Sequence, residues 1–153
     1  MTAARFDWTQ LLGLRHPVEP AGMGDGCAGP ALAPAVSLAR GLGTLGIMPA
    51  TALRAAMAET GRGCNGQPCP VGQPYPVNLL MPFVRPAHIG ACMGARPAVA
   101  VRFYGFGADL VARLKQAGIA VWQQIGDVDQ ARRALADGAT QSTASATAVR
   151  TAA

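Results

Sequence analysis

Between Leu11 and Ala139 short apolar runs alternate with stretches whose apolar residues recur every three to four positions. The runs read as strands and the stretches as amphipathic helices. Strands are expected at residues 16–23 ("HPVEPAGM"), 42–48 ("LGTLGIM"), 76–81 ("PVNLLM"), 98–106 ("AVAVRFYGF") and 119–125 ("IAVWQQI"). The first ends in glycine-rich loop chemistry, and the second is broken by Gly43 and Gly46.

Five helices fall after these strands. "GPALAPAVSLARG" places Leu32, Val36 and Ala39 on one stripe, with Pro30 and Pro34 acceptable near a helix start. "PATALRAAMAETG" sets Leu53 and Met57 one turn apart and closes at Gly61. "RPAHIGACMGA" allows a short helix with Ile89, Cys92 and Met93 on one face. "ADLVARLKQAG" carries the stripe Leu110, Val111, Leu114 and Ala117, with Asp109 and Arg113 four apart. "DVDQARRALADG" opens on a capping box, Asp127 with Gln130, and should bury Val128, Ala131 and Leu135. Residues 62–75 form a long Gly- and Pro-rich excursion.

Strands separated by helices imply a parallel sheet with right-handed crossovers. An open doubly wound sheet and the first five units of a barrel give the same pattern. A closed eight-unit barrel needs about 250 residues, and the chain has 153. After Ala139 the pattern stops: "TQSTASATAVRTAA" is small and polar, without a further apolar strand. The expected division is therefore residues 1–139 as a partial barrel and 140–153 as a disordered, low-complexity tail.

Composition narrows the function. The chain is 50% hydrophobic and only 14% charged, so it has material for a core and little polar cover. Its net charge of +5 comes from scattered arginines, adjacent only at Arg132–Arg133, with no basic stripe for nucleic acid. Residues 1–10 lack a secretory apolar run, and no run suits a membrane span. A cytoplasmic location follows as the expectation. Cys27, Cys64, Cys69 and Cys92, with His16 and His88, lack zinc-ligand spacing, so no metal is expected. "GFGADL" (105–110) holds Gly-x-Gly without the third glycine of a dinucleotide loop.

Ligands of parallel α/β folds sit at the C-terminal ends of the strands. Those ends carry Ala21-Gly22-Met23-Gly24, Gly46-Ile47-Met48 and Asn78-Leu79-Leu80. Glycine lets backbone approach a flat ligand, asparagine both donates and accepts, and methionine offers a polarizable edge. Buried glycines and a turn asparagine would look the same.

"LLGLRHPVEPAGM", "ALAPAVSLARGLGTLG", "YPVNLLMPFVRPAH", "VRFYGFGADLVARLKQAGIAV" and "DVDQARRALADGA" occur in an order that resembles the nitronate monooxygenase family, also called 2-nitropropane dioxygenases. The resemblance covers about residues 11–139. It implies an incomplete TIM (β/α)8 barrel, with FMN over the strand ends and oxidation of alkyl nitronates by oxygen to a carbonyl compound and nitrite. It places Ala21, Gly22 and Met23 along the flavin ring and Asn78 on the cofactor-contacting asparagine. Three positions depart from the family pattern: Gly22 for proline, Arg40 for the first of two glycines, and Pro76 for glycine. The family's catalytic histidine and its phosphate loops follow the sixth strand, so no catalytic residue is assigned here. By motif His88 does not replace that histidine and reads as a surface residue. Impaired activity is the expectation for this chain. The alternatives are a non-catalytic half-barrel that self-associates through open strand edges, and a flavin-dependent enoyl reductase relative.

Overall fold

The computed structural model describes residue 10, residues 12–62 and residues 75–144. In chain order the elements are α1 (Leu32–Leu38), α2 (Ala50–Arg62), β1 (Pro76–Leu80), α3 (Pro86–Ala95), β2 (Val99–Phe103), α4 (Ala108–Gln116), β3 (Ala120–Ile125), α5 (Val128–Ala136) and β4 (Gln141–Ala144). A 3-10 turn, Met81–Phe83, follows β1. All five expected helices form, and β1, β2 and β3 are the third, fourth and fifth expected strands.

The sheet runs β1-β2-β3-β4, every pair parallel. Strict chain order separates the two architectures that the sequence left open, because a doubly wound sheet reverses its order at a switch point. The register aligns Asn78 with Val101 and Val101 with Trp122. Alternation then divides the sheet into two faces. Val77, Leu79, Ala100 and Val121 pack with Leu53, Met57, Ile89, Cys92, Val111 and Leu114 of the helices. Val99, Val101 and Trp122 pack with Leu42 on the opposite, inner face, where Leu12 and Leu14 lie against them.

The first two expected strands form no regular ladder. Their segments are joined to each other and to β1 by single bonds: Leu42 N–H to Val18 O (2.9 Å), Leu45 N–H to Pro76 O (2.9 Å) and Asn78 N–H to Leu45 O (2.8 Å). One parallel bridge, Leu45 to Val77, is all that the second contributes. Pro17 and Pro20 bring no N–H donor, and Gly41, Gly43 and Gly46 weaken the neighbouring segment.

Four more expectations are corrected. β2 ends at Phe103 rather than 106, because Tyr104 takes a left-handed backbone (φ 58°). α1 buries Ala33, Pro34 and Ser37 instead of the Leu32–Val36–Ala39 stripe. A Cβ at Gly43 would collide with the Ala33 carbonyl, so α1 lies flush on that segment through its small side chains. α5 packs through Ala134, and Leu135, about 100° further round, is exposed, as is Val128. The tail expected from Thr140 is ordered to Ala144. Gln141 pairs with Trp122 and Ala144 with Ile125, after Thr140 N–H reaches Val121 O. Backbone pairing along a sheet edge needs no apolar side chain, so composition hid this strand. Residues 145–153, and residues 63–74 with Cys64 and Cys69, lie outside the described residues. No described helix is long and apolar enough to cross a membrane.

Candidate functional site

The residues singled out at the strand ends converge. Asn78 lies on the inner face at the middle of β1 and is 9% exposed. Its Nδ2 donates to Gly22 O at 2.9 Å, across 56 residues of chain. Gly46 stands between the two segments, and a Cβ there would strike the Met23 carbonyl. A Cβ at Gly22 would strike the Asn78 side chain. Glycine at 22 thus serves the approach of Asn78 rather than that of a ligand. The same overlap excludes from this arrangement the proline common at that place in the resembled family.

The Asn78 carboxamide is half satisfied. Its Oδ1 is buried with no partner among the described residues. Leaving a buried carbonyl unpaired is costly, on the order of 1–3 kcal/mol. The Asn78 carboxamide therefore keeps one unused acceptor. Met23 N–H bonds back to Ala21 O at 2.8 Å, which holds the loop tight while the Ala21 and Met23 side chains face solvent. Of the large apolar side chains that are exposed among the described residues, Met23, Phe83 and Tyr104 all follow the C-terminal end of a strand or strand-like segment.

Beneath this rim, on the same segment as Gly22, Glu19 accepts from Thr44 Oγ1 at 2.7 Å. Burial pushes its carboxyl above the ordinary 4.5, outweighing the Thr44 bond, which lowers it. Sequence reasoning missed this group. An acidic residue between Val18 and Pro20 in an extended run was the available signal.

His88 is a structural joint, half-buried rather than simply at the surface. Its Nδ1 accepts from Arg85 N–H (3.0 Å), which leaves Nε2 to donate to Met48 O (3.1 Å). Both ring nitrogens are used, so the ring is not poised to take a substrate proton. The Gly-x-Gly turn is also occupied. Gly107 N–H donates to Asp137 Oδ2 at 2.6 Å, and Gly107 O accepts from Arg102 Nη1 at 3.1 Å. A carboxylate already holds the helix N-terminus where a phosphate would bind.

Arg102 and Gln123, register partners on the helix-facing side, are both fully buried. Burial lowers the Arg102 pKa, and Asp137, at 4.0 Å, opposes that shift. Their parity with Ala100 and Val121 was the signal in the sequence. Cys27 is exposed and Cys92 buried, with burial raising the Cys92 thiol to about 11. No group of three metal-ligating side chains is found among the described residues.

Solved structures share this architecture. FabK from Thermotoga maritima superposes with a TM-score of 0.75 and 28% identity, over 89% of this chain and 42% of that one. Nitroalkane oxidase from Streptomyces ansochromogenes gives 0.76 and 22%, over 90% and 47%. The enoyl reductase domain of MlnA, from the macrolactin biosynthesis cluster of Bacillus amyloliquefaciens, gives 0.67 and 16%, over 84% and 32%. The chain is similar to part of these proteins. It has the parallel α/β fold of a partial barrel, and it spans less than half the length of each. The neighbours agree with the resemblance read from the motifs. No protein-family model and no curated protein sequence matches the chain.

Proposed function

We propose that this chain provides the ring side of a flavin site in an oxidoreductase of the nitronate-oxidising type. The observation that carries the reading is the Asn78 carboxamide: its amide nitrogen donates to Gly22 O and its buried acceptor is unpaired, on the inner face two residues before the end of β1, toward the side where such barrels bind ligands. The described residues fit the ring of FMN. Asn78 would accept from a ring N–H, and the Ala21–Met23 backbone would border the ring. When bound, the flavin would supply the redox chemistry, carrying electrons from an alkyl nitronate to oxygen. The chain's own contribution is to orient that ring. The motif order and the likeness to a nitroalkane oxidase support nitronate as the substrate class.

The contacts named here are to the ring, and ring contacts without an amide cradle for the phosphate give modest affinity. Purified chain mixed with FMN and propane-2-nitronate is expected to show little oxygen uptake and little nitrite. FMN retained stoichiometrically through purification, with nitronate-dependent oxygen uptake, would contradict the ring-side reading. The likeness to an enoyl reductase domain supports a second reading. NADH oxidation without nitrite release would favour it.

A further inference from the structure

The backbone of Tyr104 has no local explanation. Four non-glycine residues are left-handed among the described residues: Asp25, Arg40, Arg96 and Tyr104. Arg40 and Arg96 follow the ends of α1 and α3, where that conformation closes a helix. Aspartate is among the few side chains that tolerate it. Tyr104 is a bulky aromatic at the end of a strand, where this geometry carries a penalty of about 1–2 kcal/mol.

The strain has a geometric result. In a regular strand Phe103 and Tyr104 would point to opposite faces. The left-handed turn cancels that alternation and lays the Tyr104 ring on the Phe103 ring, with centroids 3.7 Å apart and planes at 27°. Phe103 shares parity with Val99 and Val101 of the inner face, and it pairs in register with Leu80, two residues past Asn78. The turn is held by close packing, since a Cβ at Gly105 would press on the Met81 side chain at 2.6 Å. Tyr104 nevertheless stays 65% exposed. A strained side chain that gains little burial, at the ligand-binding end of a parallel sheet, indicates a role outside folding.

We infer that Tyr104 is a ligand-stacking residue. Backed by Phe103, its free face forms a platform for the flat conjugated ring that the proposed function places over this end of the sheet. The inference rests on the flavin reading and adds a positioning residue to it. Two stacked rings give a preordered surface, and stacking a planar ring on an aromatic side chain changes affinity by about five- to a hundredfold.

The test is titration of riboflavin, followed by its fluorescence, with the wild-type chain and with Tyr104→Phe, Tyr104→Ala and Tyr104→Gly. Wild type and Tyr104→Phe should bind alike and quench the fluorescence. Tyr104→Ala and Tyr104→Gly should bind at least about fivefold more weakly. Thermal unfolding of Tyr104→Gly should show undiminished stability, because glycine carries no left-handed penalty. Equal binding by Tyr104→Ala would overturn the inference while leaving the flavin reading intact. A marked loss of stability in Tyr104→Gly would overturn it too, by making the ring a packing element. If wild type binds no riboflavin, the flavin reading itself fails and the inference falls with it.

Discussion

At the scale of single residues, the site is built from what is missing as much as from what is present. Gly22 and Gly46 lack the Cβ atoms that would keep Asn78 and Met23 out of place. The sequence pointed to Ala21, Gly22, Met23 and Asn78 as a set, and the fold joins Gly22 directly to Asn78. What the sequence did not reveal is the purpose of the glycine, since only three-dimensional packing shows which atom occupies the space. Glu19 carries a prediction at this scale. Its carboxyl is raised in the folded chain by burial. Between the ordinary value and the raised one, the folded state holds the proton more than the unfolded state does. Stability should therefore fall as pH rises through that window and level off above it. Glu19→Gln should flatten the dependence while keeping a partner for Thr44. Urea unfolding of both proteins across that range measures it, and parallel curves would show that Glu19 is not the cause.

At the scale of elements, legibility followed the strength of the local signal. The pattern of Asp127 with Gln130 predicts a capping box at α5, and half of it forms: Gln130 N–H donates to Asp127 Oδ1 at 2.7 Å, while Gln130 Oε1 accepts from Gly126 N–H at 3.0 Å, one residue before the N-cap. Asp127→Ala should lower stability by about 0.5–2 kcal/mol, read from chemical unfolding. α3 closes on left-handed Arg96, whose N–H reaches Cys92 O at 2.7 Å. Arg96→Gly should raise the melting midpoint, worth up to about 1 kcal/mol, because relief of about 1–2 kcal/mol of left-handed strain exceeds the roughly 0.5–1 kcal/mol of added chain entropy. The stripes of α1 and α5 were misread for a shared reason. Both helices are attached through small residues, Ala33 and Ala134, and a scan for large apolar side chains overlooks such faces. β4 escaped because backbone pairing along a sheet needs no apolar pattern in the sequence.

At the scale of the whole molecule, four parallel strands in chain order and helices on one face make a segment of a barrel wall. Periodicity could not set that order, because it records which side a residue faces and not which strand lies alongside. β4 presents its second edge to no described strand. Unpaired edges favour association. Sedimentation velocity at rising concentration should show oligomers, and a monomer at every concentration with sharp cooperative unfolding would contradict that. Under the proposed function the described wall would hold a flavin ring through Asn78. The most direct measurement is a riboflavin titration of the wild-type chain beside Asn78→Ala, with circular dichroism confirming that both are folded. Saturable binding by wild type, weakened about tenfold or more in the variant, is the predicted result. Equal binding by the two folded proteins, or none by either, would contradict it.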